Sequence, residues 1–208
     1  PIDLIVIDNT STDGTLARLR SVLAPGELVA LERNTGFSGG HNEAIRRTAG
    51  DFYLALNPDV RLRPDFVSRI VARLADEPGA GSATGRLWLA GEPETIDTTG
   101  VYLVPTQRHL DRGQGEIDTG QYDRLEGVFG ASGAAACYRR AMLADVAVDG
   151  EVFDEDFFAY REDVDLAWRA QWLGGKCRYV PDATGWHRRR VQPGRRAGTH
   201  KRHRGSSG

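Results

Sequence analysis

Asp3-Leu4-Ile5-Val6-Ile7-Asp8-Asn9-Thr10-Ser11-Thr12-Asp13-Gly14 joins an unbroken apolar run to a polar turn. The run from Leu4 to Ile7 is short and rich in β-branched residues, the pattern of a strand buried on both faces. The turn leads into a helix through Leu16, Leu19 and Leu23, with Thr12 or Asp13 as its N-cap, and Pro25-Gly26 ends that helix. The same unit then recurs. Leu28-Val29-Ala30-Leu31 reads as a second strand, Glu43 to Thr48 as a helix, and Phe52 to Leu56 as a third strand. That strand stops at Asn57-Pro58-Asp59-Val60, where proline forbids its simple continuation. Pro64 opens a further helix whose apolar face carries Phe66, Val67, Ile70, Val71 and Leu74. Alternation at this pace predicts an α/β fold, a mostly parallel central sheet flanked by crossover helices. Ligands of such sheets sit beyond the carboxyl ends of the strands. The polar loops after Ile7, Leu31 and Leu56 are therefore expected to share one edge. A buried strand rarely stands first in a domain, so a further strand upstream is expected, with the sheet edge beside Leu4 to Ile7 exposed without it.

Composition narrows the class. Of 208 residues, 40% are hydrophobic and 27% charged, which fits a globular domain with a real core and argues against a disordered or membrane-spanning chain. There is no signal peptide and no apolar run of membrane length, so a cytoplasmic location is expected. Cys137 and Cys177 lack paired spacing, so neither a zinc site nor a disulfide framework is suggested. The net charge of -2 hides an asymmetry, because no acidic residue follows Asp182 while Arg188, Arg189, Arg190, Arg195, Arg196, Lys201, Arg202 and Arg204 do. We read 1–187 as the folded core and 188–208 as a basic, flexible tail. It is either simply solvated or meets an anionic membrane face from the inner side, and nucleic acid is not expected as a partner.

The later chain carries the chemistry. Phe153 to Arg169 mixes carboxylates with aromatics and leucines, and buried acids need a cation, a proton or a substrate to meet. Residues 91–126 are polar and glycine-rich, which predicts irregular loops and short strands. The small residues from Gly130 to Ala136 permit close approach of a backbone or ligand, or tight helix–sheet packing. Asp165 and Arg169 stand at i and i+4, the spacing of an ion pair on one helix. Glu162 and Asp163, adjacent on the same helix, point roughly 100° apart and cannot share one role. Trp168 and Trp172 lie at helical spacing and are expected in the core. His41 reads as a loop or packing residue. Asp97 reads as a turn cap, with a donor-sugar contact as the weaker alternative, and Arg33 as a phosphate contact or a plain surface residue.

Five segments, in this order, resemble the family 2 inverting glycosyltransferases of the rhamnosyltransferase-like branch, over nearly the whole chain. They are the strand ending in Asp8-Asn9 with Ser11 and Asp13-Gly14, the loop Asn34 to Asn42, Asn57-Pro58-Asp59-Val60, Gly130 to Arg140 with Glu162-Asp163-Val164-Asp165, and Tyr179-Val180-Pro181 followed by His187. The resemblance implies a GT-A fold, Rossmann-like, with a nucleotide-sugar donor, a divalent cation and a glycan or lipid-linked acceptor. It places Asp8, Asn9, Asn34, Asn57 and Asp59 on the donor side, and Gly133, Glu162 and Asp165 on the acceptor side. Asp163 matches the catalytic base, and Asp59 and His187 the metal ligands. A hard cation with oxygen ligands, Mg2+ or Mn2+, suits a departing diphosphate, and a carboxylate within reach of the acceptor hydroxyl can take its proton. Members of the family usually begin with an additional strand and helix, which are not seen, and continue past the final basic segment. Asn57 also replaces the first aspartate of the family's Asp-X-Asp signature. Besides inverting transfer of a sugar such as rhamnose, two readings stay open: a non-catalytic sugar-nucleotide-binding fragment, and a nucleotidyltransferase. The latter is disfavoured because the Asp8 to Gly14 turn has no lysine or arginine.

Overall fold

The computed structural model describes residues 2–106 and 108–189. Strand Val6–Asp8 (β1) leads through the polar turn to helix Thr15–Val22 (α1) and strand Leu28–Ala30 (β2), which pairs with β1 in parallel. The helix starts later than Thr12 or Asp13 as N-cap would require. Left-handed Gly14 takes that position, and the Asp13 carboxylate accepts instead from the Thr15 N–H at 3.1 Å. Helix Gly36–Arg47 (α2) also differs from expectation, beginning seven residues before Glu43. Its first N–H groups are satisfied by a distant carbonyl, that of Phe158, which accepts from Phe37 at 2.6 Å and from Ser38 at 3.3 Å.

Strand Phe52–Leu56 (β3) ends at the Asn57-Pro58 turn, after which strand Val60–Leu62 (β4) leads to helix Phe66–Asp76 (α3). As its apolar spacing predicts, α3 buries Phe66, Ile70 and Leu74 completely. Strand Ala80–Leu89 (β5) follows, then the strands Glu92–Thr98 (β6), Val101–Leu103 (β7), His109–Asp111 (β8) and Glu126–Val128 (β9), which order the glycine-rich middle. Strand Ala135–Arg139 (β10), helix Arg140–Val146 (α4), a single 3-10 turn at Glu155–Phe157, helix Glu162–Trp172 (α5) and strand Lys176–His187 (β11) complete the described chain.

The main sheet has the order β3-β10-β5-β11-β4, with β6 added to β5 and β9 to β11. Strands β5 and β11 are parallel, and β3 runs with them because β10 lies antiparallel to both β3 and β5. The α/β architecture with flanking helices holds, but β5–β11 is the one parallel pair among the described pairings of this sheet, and β1 and β2 form a separate two-stranded parallel sheet. Alternation along β10 divides the core. Ala136 and Tyr138 pack with Leu143, Phe153 and Leu166 under α2, α4 and α5, whereas Ala135 and Cys137 pack with Phe66, Ile70 and Leu74 under α3. Pro181 falls where β11 shifts register against β5, between Tyr179 and Thr184, as a proline within a strand requires.

Trp168 and Trp172 are not core residues. They are 42% and 79% exposed, because the buried stripe of α5 is Glu162, Leu166 and Ala170, and Trp168 instead packs on Phe129 at the surface. No helix among the described residues is long and apolar enough to cross a membrane. Of the basic tail, only Arg188 and Arg189 are described, and 190–208 lie outside the described residues.

Candidate active site

The loops after β1 and β2 meet, while the loop after β3 lies against the segment before β10. Asn9 donates to the Gly36 carbonyl at 2.7 Å and accepts from the Thr35 N–H at 2.8 Å, pinning the first loop to the start of α2. Both ends of its amide are thereby committed within the protein. Asp8 is buried beside it, one oxygen accepting from the Ser11 N–H at 3.2 Å and the other without a hydrogen-bond partner. Asn34 is exposed and accepts from the Gly36 N–H at 2.9 Å, and Arg33 is exposed. Half-buried Asn57 continues the edge through its N–H, which donates to the Ala134 carbonyl at 3.0 Å. The segment before β10 thus lies between the third loop and α5.

The strand pairing of β4, β11 and β5 sets the strongest cluster. His187, the last residue of β11, lies between Val60 and Leu89 in register. Its Nε2 is 3.2 Å from Asp59 Oδ1, and its Nδ1 is 2.8 Å from Asp97 Oδ2 on β6. Asp97 is fully buried, and its second oxygen accepts from Arg189 Nε. Arg189 reaches on to Asp111 of β8 at 2.9 Å. Burial pulls the His187 pKa down, but the hydrogen bond from Asp97 and the charges of Asp97 and Asp59 outweigh it, so the net shift is upward. Among the described residues no three His, Cys, Asp or Glu side chains gather into a ready cage. Asp59 and His187 by themselves bring one carboxylate oxygen and one imidazole nitrogen together.

The acids of α5 separate into different environments. Asp163 accepts from the Gly133 N–H at 2.9 Å through Oδ2 and from the Val164 N–H at 2.9 Å through Oδ1. A Cβ at Gly133 would lie 3.3 Å from Asp163 Oδ2 and 3.4 Å from Phe37, so this glycine lets α2, α5 and the small-residue segment meet. Burial raises the Asp163 pKa against the lowering effect of the Gly133 N–H. The charge of Asp111 raises it further, and that of His109 lowers it. Glu162 occupies the inward stripe, buried, with Oε2 lacking any partner. Burial first and the Asp163 charge second push its pKa up to about 7. Asp165 is bound to Arg169 at 2.7 Å, and Arg169 also donates to the Val152 carbonyl at 2.8 Å, so this acid fastens α5 to the chain before it.

His41 packs on Phe37 with ring centroids 4.1 Å apart, bonds Tyr53 Oη through Nδ1 at 2.6 Å, and is held down to about 4 by burial. It is a neutral packing residue, as its sequence setting suggests. Asp97, read from sequence as a turn cap, instead supports His187. Ninety positions separate the two, so spacing gives no hint of the contact. The one available signal was a carboxylate among the Thr and Ile residues of a buried strand.

The site thus combines an α/β sheet with an acid–histidine pair at the carboxyl end of β11 and a buried carboxylate, Asp163, on α5. The chain belongs to Glycosyl transferase family 2, whose profile matches residues 1–146. It is similar to an N-acetylglucosaminyl-diphospho-decaprenol L-rhamnosyltransferase of Mycobacterium tuberculosis (strain CDC 1551 / Oshkosh), 27% identical over 96% of this chain and 71% of that one. An N-acetylglucosaminyltransferase of Mesorhizobium japonicum is 29% identical over 74% of this chain and 35% of that protein. The chain spans a quarter to little more than a third of three such curated relatives. Among solved structures, GalNAc-T7, crystallised with UDP, GalNAc and Mn2+, superposes with a TM-score of 0.71 at 12% identity, covering 99% of this chain and 40% of that one. That likeness establishes the GT-A fold.

Proposed function

We propose that the protein containing this chain transfers a sugar, with inversion, from a nucleoside-diphosphate donor to a hydroxyl of a cell-surface glycan or lipid-linked acceptor. The observation that carries this reading is the pair Asp59 and His187 at 3.2 Å, with His187 Nδ1 already engaged by buried Asp97. A carboxylate oxygen facing an imidazole nitrogen whose partner nitrogen is occupied is a donor set that fits a divalent cation. Asp59 and His187 would hold Mg2+ or Mn2+. Bound there, the ion would supply positive charge to the departing diphosphate.

The other steps rest on this chain's own side chains. Asp163, fixed by the Gly133 N–H, takes the proton of the attacking hydroxyl, and its raised pKa moves it toward the range of a useful base. Asp8, with one buried oxygen unpartnered, supports a contact to the nucleoside, while Asn9, with its amide committed, shapes the loop. Asn34, Asn57 and Asp59 line the donor side, with Gly133, Glu162 and Asp165 behind the acceptor. Rhamnose is the favoured sugar because the mycobacterial rhamnosyltransferase is matched over most of its length. The reaction is placed on the cytoplasmic side of a membrane, where the basic residues after Asp182 would meet anionic lipid.

The test is donor-dependent release of nucleoside diphosphate by the full-length protein, with dTDP-, UDP- and GDP-sugars, each with and without Mn2+. Release that needs both Mn2+ and an acceptor supports the reading. Tight donor binding without release would establish the non-catalytic binding module instead.

A further inference from the structure

We propose that Asp97 is a positioning residue, the buried carboxylate that fixes the ring plane and tautomer of His187 so that Nε2 presents a lone pair to a cation shared with Asp59. This rests on the functional reading above and adds to it a residue outside the quoted motifs.

The argument begins with the cost of the arrangement. Asp97 is on β6 with no exposed surface, and a buried carboxylate costs least when both oxygens have strong partners. Its partners are the His187 ring at Nδ1, 2.8 Å away, and the guanidinium of Arg189. A carboxylate only accepts hydrogen bonds, so Nδ1 must carry the proton. In the neutral ring, Nε2 is then the bare nitrogen. That nitrogen faces Asp59 Oδ1 at 3.2 Å, an arrangement that sets two acceptors against each other unless a proton or a cation lies between them. A carboxylate behind an imidazole is the recurrent support of metal-bound histidine, and losing it typically weakens metal binding by about 10–100-fold.

A purely structural role makes a different prediction. If Asp97 served only to hold Arg189, and through it Asp111 and β8, then Arg189→Ala would reproduce the loss of Asp97. If Asp97 acts through His187, removing Arg189 leaves the histidine contact in place.

Two measurements on the full-length protein decide the matter. The first needs no mutation. Long-range 1H–15N spectra of the metal-free protein at pH 9 report which His187 nitrogen carries the proton. We expect Nδ1–H, and an Nε2–H ring overturns the proposal. The second is Mn2+ binding, read from the free-ion electron paramagnetic resonance signal with UDP or dTDP present. Asp97→Asn, whose amide can donate to Nδ1 and impose the other tautomer, is expected to weaken Mn2+ by about 10–100-fold and to shift the ring to Nε2–H. Arg189→Ala is expected to retain the Nδ1–H tautomer and lose much less affinity. Wild-type affinity in Asp97→Asn, or equal losses in the two variants, overturns the proposal. If Asp97→Asn does not fold, Asp97→Glu, which keeps the charge, is compared with Arg189→Ala in its place, and equal losses in that pair overturn it too. Wild-type protein that shows Nδ1–H yet holds no Mn2+ overturns the metal reading itself, and Asp97's part in it, through a result distinct from a wrong tautomer.

Discussion

Replacing Glu162 by Gln tests whether an ionisable group on the inward stripe of α5 costs the fold stability. Its carboxyl is buried, with Oε2 unpartnered and Asp163 next to it, and its pKa is pushed from 4.5 up to about 7. The direction of the stability effect follows from proton linkage. Below the ordinary glutamate range both folded and unfolded chains hold the proton, and nothing is lost. Between pH 4.5 and about 7 the folded chain keeps a proton that the unfolded chain has released, so stability falls as pH rises. Above about 7 the full penalty is present. At about 1.4 kcal/mol per pH unit the upper bound is about 3 kcal/mol. Local relaxation and solvent screening discount this bound, so about 1–2 kcal/mol is the working expectation. Glu162→Gln keeps the shape and removes the ionisation. Urea unfolding at pH 4.5 and pH 8 should show near-equal stability at the lower pH and a variant more stable by about 1–2 kcal/mol at the higher. A variant that is equally destabilised at both pH values refutes the reasoning, because lost hydrogen bonding would then outweigh the charge.

Asp59→Ala should abolish the Mn2+-dependent part of nucleotide affinity in a calorimetric titration, and unchanged affinity would remove Asp59 from the site. Asp163→Asn should lower sugar transfer by about 10²-fold or more while leaving donor binding unchanged. Transfer at the wild-type rate in that variant, with a dead Glu162→Gln, would move the base to Glu162. Gly85→Ala should destabilise the fold by at least about 1–3 kcal/mol, read as a shift in the urea midpoint, because a Cβ there would lie 2.1 Å from the Ala183 carbonyl oxygen and 2.5 Å from Phe66.

Locally encoded features were legible. The spacing of Phe66, Ile70 and Leu74 is the buried face of α3, a pattern complete within a dozen residues, whereas the apolar run into Asp8 yields a strand only over Val6–Asp8, with Val6 and Ile7 half-buried and Leu4 exposed. The Asp165–Arg169 pair followed from helical spacing alone. What was missed depends on distant partners. Helix α2 was read as starting at Glu43 because Gly36, Ser38, Gly39 and Gly40 have poor intrinsic helix preference, and only the Phe158 carbonyl shows why the helix begins among them. Strand β5 escaped notice for a similar reason. Ala80-Gly81-Ser82-Ala83-Thr84-Gly85 has little strand character, yet it is the central strand, kept small so that β11 and α3 can close on it. For the site, sequence supplied Asp59, Asp163 and His187 as candidates. It did not supply the order in which Asp59, His187, Asp97, Arg189 and Asp111 touch, which is set by strand register across four strands and the residue beyond β11.

The Phe158 carbonyl joins the start of α2 to the segment that leads into α5. It accepts from the first turn of that helix while belonging to the segment that carries the chain to Glu162 and Asp163. That segment bends through left-handed backbone at Phe158, Tyr160 and Arg161, and no glycine relieves it. Such conformations cost roughly 1–3 kcal/mol each and persist only where the surroundings impose them. Gly36, with φ of +69°, leaves room for the carbonyl, since a Cβ there would stand 2.2 Å from its oxygen. On the proposed function, a donor that steadied the start of α2 would also steady the bent segment before α5. By thermodynamic reciprocity, a ligand that ordered that segment would tighten the donor by the same factor. One backbone oxygen would then couple the two binding events.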